Sequence, residues 1–315
     1  MKRLKLGILL LGLLPLSSAA QKGTKSDLCC AAMQRLYEEK KYTEALKQFE
    51  KLEKSCAIQA PCIELLGDVY GALEAFPEAF ATYQLIEKVH PTLVRGYEIM
   101  GDLYTAVKDW PEAIQTYTRG IQNVSSDTDR RDLIIERAIV LTNTRRYKEA
   151  ISDLEALSER FPENTWAKHE LAIAYSGNKE VPRALSIFKD LHQLDSMDVA
   201  VLTCLSDAYQ KLGEHPQAIA FAQRAIQLDP TGDIAYVNLA YSKMKLGNLD
   251  EALQDIEKAI AMDKENGYAY RNRGLIYLEM KDPEKACRSF LVAEQKGYSE
   301  MYDDDVKALI QQHCQ

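Results

Sequence analysis

The chain has 315 residues, of which 46% are hydrophobic and 27% charged, and a formal net charge of −8. This composition allows one long assembly or two ordinary domains and excludes a chain too polar to build a core. The negative charge repels phosphate backbones, so nucleic acid is not an expected partner.

The first twenty residues predict a secretory signal peptide. Met1, Lys2, Arg3 and Lys5 form a positive head, residues 6–16 an apolar run, and Ser18-Ala19-Ala20 a small-residue cleavage site before Gln21. The apolar run is about half the roughly twenty residues that a bilayer span requires. The first cysteine is Cys29, so the cysteine that a bacterial lipoprotein carries directly after its cut is missing. No later stretch reaches membrane length. The mature chain is therefore expected to have no membrane span and to be exported, to the periplasm or otherwise secreted. Residues 21–25 read as a short linker.

From residue 26 the chain repeats itself. Units start at Ser26, Ala60, Val94, Arg131, Thr165, Val199, Asp233 and Gly267, mostly 34 residues apart. The eighth position is small in most of them: Gly67, Gly101, Ala138, Ala172, Ser206, Ala240 and Gly274. The twentieth is alanine throughout, from Ala45 to Ala286. The twenty-fourth is mostly large: Phe49, Tyr83, Tyr117, Leu154, Phe188, Ile256 and Phe290, with Ala222 in the sixth. This register resembles the tetratricopeptide repeat. The resemblance implies an all-α fold: a right-handed α-solenoid of about eight helical hairpins over residues 26–300. The hairpins are 26–59, 60–93, 94–127, 131–164, 165–198, 199–232, 233–266 and 267–300. Residues 301–315 are expected to add a capping helix, with Val306, Leu309 and Ile310 inward and the aspartates 303–305 at its positive end. A metal site on those aspartates is the weaker reading, because neighbouring carboxylates on a helix point apart.

Three departures stand out. Met33 replaces a small residue in the first repeat, and Lys243 replaces an aromatic at the eleventh position of the seventh. The third step is 37 residues, the surplus falling in the polar stretch 123–129, which is expected to bend the array or join two arms.

No catalytic constellation accompanies the repeats. The five histidines are scattered, and no metal-binding, phosphate-cradling or nucleophile motif is present. The expectation is a protein-binding scaffold with no enzymatic activity, cofactor or metal. The resemblance implies a concave groove lined by the first helix of each hairpin. Its early part would carry Asp27, Glu38, Glu64, Asp68, Glu98, Asp102 and Asp132, and its later part Trp166, His169, Lys211, Tyr241, Lys245, Tyr268 and Arg271. Such a lining suits a peptide or protein segment with a basic stretch. The other reading is an accessory subunit of an envelope enzyme complex that captures carbohydrate on Trp166, Tyr241 and Tyr268. Asn238 and Asn272 sit where related co-chaperones clamp a terminal carboxylate. Asp207 stands in place of the third asparagine, so the clamp is not expected and the two asparagines are expected to be exposed.

The hairpin geometry gathers Cys29, Cys30, Cys56 and Cys62 at one edge. Four cysteines allow three pairings; facing directions favour Cys29–Cys56 and Cys30–Cys62, with buried thiols or a zinc site as alternatives. Cys287 and Cys314 fall at equal height on the last hairpin helix and the cap, which predicts a bond between them. Cys204 is expected to stay a buried thiol.

Overall fold

The computed structural model describes residues 29–302 and 304–314, and every regular element among them is a helix. The expected leader and linker, Asp27 and Asp303 lie outside the described residues. The chain divides into two compact units at His90–Pro91. The first holds α1 (Ala31–Glu38), α2 (Tyr42–Phe49), α3 (Lys54–Ala57), α4 (Ala60–Ala72) and α5 (Phe76–Val89). The second holds α6 (Val94–Ala106), α7 (Trp110–Asn123), α8 (Asp127–Asn143), α9 (Tyr147–Arg160), α10 (Thr165–Gly177), α11 (Val181–Leu194) and α12 (Val199–Lys211). It continues through α13 (His215–Leu228), α14 (Asp233–Lys245), α15 (Leu249–Met262), α16 (Gly267–Glu279), α17 (Pro283–Gln295), α18 (Tyr298–Met301) and α19 (Asp305–His313). Successive helices pair as hairpins, from α1 with α2 to α16 with α17, and hairpins stack within each unit, giving the α-solenoid fold.

A glycine–aromatic contact sets the spacing inside several hairpins. A Cβ on Gly67 would lie 2.4 Å from the Tyr83 ring, and on Gly101 or Gly274 it would lie 2.3 Å from Tyr117 or Phe290. Those rings fill the volume that the missing side chain leaves. Where the partner position is Leu154, Ala222 or Ile256, the eighth position instead carries Ala138, Ser206 or Ala240. Ala172 with Phe188 departs from this rule. The twentieth-position alanines are buried in every hairpin, so the paired helices approach closely along their length.

The turn between paired helices needs one residue with positive φ. Glycine supplies it at Gly213 and Gly247, but Lys40, Glu74, Lys108, Arg145, Lys179 and Lys281 adopt the same conformation with a side chain. Five of these six are cationic, which suits the negative C-terminal end of a helix and offsets part of the strain.

The three sequence departures have separate accommodations. Met33 is fully buried against Ala45, Cys62 and Val69 in the first unit. Lys243 donates to the buried Asp255 at 2.7 Å and to the exposed Glu251 at 2.9 Å, so a half-buried lysine held by an ion pair replaces the usual aromatic. The surplus residues extend α8, capped by Ser126, to 17 residues against 13 for α6 and α10. The expected joint is therefore not at 123–129, because the added residues continue a helix rather than loosen a loop.

The C-terminal cap is two helices, α18 and α19, with left-handed Gly297 opening the first. Val306 is buried against Ala286, Phe290 and Ala293, with Leu309 and Ile310 beside it. Arg271 holds the start of α19 through Asp305 at 2.5 Å, and Cys314 meets Cys287 at its end, with Cα atoms 5.2 Å apart. Cys29 meets Cys56 in the same way at 5.4 Å. Cys30 and Cys62, expected as a second N-terminal bond, are separate buried thiols. Burial and a hydrogen bond from Cys30 push the Cys62 thiol up to about 12, so Cys62 is held as a thiol rather than as a ready thiolate.

Two substitutions test the packing and turn rules. Gly101→Ala should destabilise the second unit by about 1–3 kcal/mol, because the Tyr117 ring has nowhere to go. Lys179→Gly should stabilise it by about 0.5–1 kcal/mol by removing left-handed strain. Urea denaturation followed by circular dichroism reads both; equal midpoints for all three proteins would contradict both rules.

Candidate functional site

The first helices of the third, fourth and fifth hairpins bring carboxylates together along one face of the second unit. Glu98 and Asp102 come from α6, Asp132 and Glu136 from α8, and Glu170 from α10. Each influences its neighbours. Burial, followed by the charges of Asp102, Glu98, Glu170 and Asp132, pushes the Glu136 carboxyl up to about 7. Burial also raises Glu98, helped by Asp102, Asp132 and Asp129 and opposed by Arg95. The nearest cations are largely committed. Arg131 pairs with Asp132 at 2.8 Å, Arg137 grips Asp153 with two bonds of 2.9 Å, and Arg95 lies 3.7 Å from Glu98. The face is a carboxylate strip with incomplete internal neutralisation, suited to cations from outside.

Asp102 has a second task. Its Oδ1 accepts the Tyr117 hydroxyl at 2.8 Å, and that ring is the one packed on Gly101. Its side chain reaches solvent, yet the carboxylate sits in a fold of protein, so burial raises its proton affinity against the pull of Tyr117 and Arg95. In the first unit Asp68 does the same for Tyr83 at 2.7 Å, and Glu64 stands half-buried one turn away on α4. Glu38 ends α1 and accepts from Gln34 at 3.0 Å. Asp68 and Asp102 are thus parts of the hairpin packing as well as of the surface.

The later residues form a different neighbourhood. Trp166 is 41% exposed at the start of α10. Lys211 is tied to Asp207 at 2.7 Å and Ser176 at 2.8 Å, and Lys245 lies over the Tyr241 ring at 5.4 Å. Tyr268 is covered by the cap, its ring centroid 6.1 Å from Tyr298 and 5.1 Å from Tyr302. Arg271 is spent on Asp305. The cap thus occupies two of the residues expected to line an open groove.

His169, Glu170 and Cys204 superficially form a nucleophile, a base and an orienting acid. His169 Nε2 lies 3.7 Å from the Cys204 sulfur, and its Nδ1 lies 3.2 Å from Glu170. Burial, then Asp207 and Glu170, push the Cys204 thiol up to about 12, the opposite of nucleophile activation. Cys204 is half-buried rather than fully enclosed.

The asparagines expected on the surface are buried. Asn238 donates to the Thr203 carbonyl at 3.2 Å, and the Asn272 side-chain oxygen accepts from Arg271 at 3.0 Å. Both occupy the sixth position of their repeats, which faces the preceding hairpin. Glu136, Glu170 and Cys204 hold the same position. The groove lining expected from the sequence does not include this row. The signal was available: the sixth position is Leu65 and Ile99 early in the chain and turns polar from Glu136 onward.

Comparisons with known proteins agree with this architecture. Two tetratricopeptide repeat family models match, over residues 201–231 and 237–299. A tetratricopeptide repeat protein from Parabacteroides merdae superposes with a TM-score of 0.68 at 18% identity, covering 80% of this chain and 98% of that one. A thermophilic repeat protein of Thermus thermophilus gives 0.53 at 19% identity, over 58% and 98% of the two chains. A chain of the APC/C hetero-tetramer Cut9–Hcn1 gives 0.63 at 15% identity, covering 92% of this chain and 56% of its own length. No curated protein matches the sequence.

The raised carboxyl of Glu136 has a measurable consequence. In the unfolded chain this group ionises at ordinary carboxylate pH; in the folded chain it holds its proton to about 7. Its contribution to stability is full below the unfolded value and is lost as pH rises through the folded one. Glu136→Gln should therefore raise stability at pH 8 by about 1 kcal/mol, a value discounted for solvent screening, and change little at pH 4. Urea midpoints at the two pH values read the effect; an equal shift at both, or none, would contradict it.

Proposed function

We propose that this chain, which matches tetratricopeptide repeat models over residues 201–231 and 237–299, is a non-catalytic scaffold that holds a basic, extended protein segment along the carboxylate strip of its second unit. One observation carries this reading: Glu98 and Asp102 of α6, Asp132 and Glu136 of α8 and Glu170 of α10 come together from three successive hairpins, where burial first and these neighbouring charges second push the Glu136 carboxyl up to about 7. A row of like charges costs stability, and ammonium or guanidinium groups placed between them recover that cost. The carbohydrate reading is weaker, since the cap tyrosines cover Tyr268 and leave Trp166 and Tyr241 without their third ring.

The binding test uses a lysine-rich twelve-residue peptide and isothermal titration at several salt concentrations. Replacing Glu98, Glu136 and Glu170 by Gln and Asp132 by Asn should weaken binding at least tenfold and flatten its salt dependence. Asp102 is left in place because it supports Tyr117. Equal affinity of the two proteins for the peptide would defeat the proposal.

The same reading places the scaffold outside the cytoplasm, in the periplasm or secreted. The leader pattern at residues 1–20 supports export, and the paired cysteines suit an oxidising compartment. Mass spectrometry of unreduced exported protein should yield peptides linking Cys29 to Cys56 and Cys287 to Cys314, with Cys30, Cys62 and Cys204 open to alkylation. Seven alkylatable cysteines would contradict this.

A further inference from the structure

The sixth hairpin departs from the repeat at one point, and a cavity lies there. Its twenty-fourth position is Ala222, and Phe221 carries an aromatic ring one residue earlier. The other hairpins have no aromatic at that twenty-third position, from Gln48 and Thr82 to Ser289. Phe221 is half-buried, stacks on Tyr209 with centroids 5.4 Å apart, and meets the His192 ring edge-on at 5.7 Å. Beside it a cavity of about 240 Å³ opens between α11, α12 and α13. Leu202, Ala220 and Phe221 give it apolar walls, and His192, Ser196 and Arg224 give it polar ones. Ser196 stands where Pro91, Pro162 and Pro230 stand in other repeats, so a hydroxyl and an N–H replace a proline ring.

The polar wall is short of partners. Arg224 is exposed and forms no ion pair among the described residues; its guanidinium reaches Gln227 at 3.4 Å. The His192 Nδ1 is enclosed without a hydrogen-bond partner, a cost that a ligand oxygen would offset. The carboxylates next to Ser196 in the chain are committed to backbone N–H groups: Asp195 to Met197 at 2.8 Å, and Asp198 to Ala200 and Val201 at 2.9 and 3.1 Å. Lys189, another cation without an ion pair among the described residues, lies 5.4 Å from the centre of the Tyr209 ring on which Phe221 stacks. A convergence of apolar walls and a few polar groups is the ordinary make-up of a small-ligand site. A cavity of about 150 Å³ accepts benzene, so this one has room for a ring and a carboxylate on a short link. We propose that the cavity binds a monocarboxylate built on one aromatic ring, with the ring on Phe221 and Leu202 and the carboxylate on Arg224, whose planar guanidinium matches two carboxylate oxygens. A free aromatic acid and the last residue of a chain ending in phenylalanine share this chemistry. The site uses none of the helices that carry the strip, so neither proposal depends on the other.

The test is a chemical-shift titration of the full chain with 3-phenylpropionate, its neutral amide and N-acetylphenylalanine, the last imitating a chain end. Wild type should bind 3-phenylpropionate roughly tenfold more tightly than the amide, because only the acid pairs with Arg224. Arg224→Gln should erase that preference. Ala220→Trp, which fills the cavity from an exposed position, should abolish binding of both. Arg224 and Ala220 are exposed, so both variants should melt with wild type by circular dichroism; if Ala220→Trp does not, Arg224→Gln alone decides. Tighter binding of N-acetylphenylalanine than of 3-phenylpropionate assigns the site to chain ends, and the reverse order assigns it to free acids. Three results overturn the proposal: no binding of 3-phenylpropionate to wild type at millimolar concentration, equal affinity for acid and amide, or an acid affinity that Arg224→Gln leaves unchanged.

Discussion

Two helices cannot come closer than the side chains between them, and this fold depends on removing one of those side chains. At Gly67, Gly101 and Gly274 the absent Cβ lets a tyrosine or phenylalanine ring pack directly on the helix. The ring then occupies the centre of the hairpin, and the buried twentieth-position alanine lets the second helix keep that distance. Since no hairpin covers both its faces, stacking within each unit and a cap at the chain's end complete the core.

The packing also decides where charge goes. A tyrosine ring pressed on Gly101 needs a partner for its hydroxyl, and the next residue, Asp102, provides it. The carboxylate is thereby fixed on the exposed face of the first helix, beside Glu98 and near the Asp132 and Glu136 of the next hairpin. A structural need in one hairpin seeds an electrostatic feature shared by three. The second unit changes character along its length. Beyond Cys204 the sixth position becomes asparagine, Lys211, Lys243 and Arg271 are paired with Asp207, Asp255 and Asp305, and the Tyr268 ring is covered by the cap.

The repeat register was legible because it needs only identity and spacing: small at eight, alanine at twenty, large at twenty-four. Hairpin boundaries, the inward face of the cap and the proximity of Cys287 to Cys314 all follow from that register and the helical rise. What escaped depends on which neighbour a side chain meets. The burial of Asn238 and Asn272 follows from the sixth position facing the previous hairpin, whereas the absence of a carboxylate clamp at Asp207 leaves both expected on the surface. The double duty of Asp68 and Asp102 hides in the pairing of the ninth position with a tyrosine fifteen residues on. The turn residues mislead in the other direction: glycine marks Gly213 and Gly247, but the same left-handed backbone carries Lys40, Glu74 and Lys179, where composition gives no sign of it. Contacts such as Arg145 with Ser299 depend on the accumulated geometry of four hairpins, which no local pattern encodes.

The central claim is that carboxylates crowded by this packing are a site for external cations. The direct measurement is the ionisation of Glu136, followed by carboxyl carbon-13 resonance across pH in the free protein and with the lysine-rich peptide bound. The account predicts a midpoint near 7 in the free protein, falling toward the ordinary carboxylate range when cations lie among the carboxylates. A midpoint already ordinary in the free protein, or one that the bound peptide leaves unmoved, would contradict it.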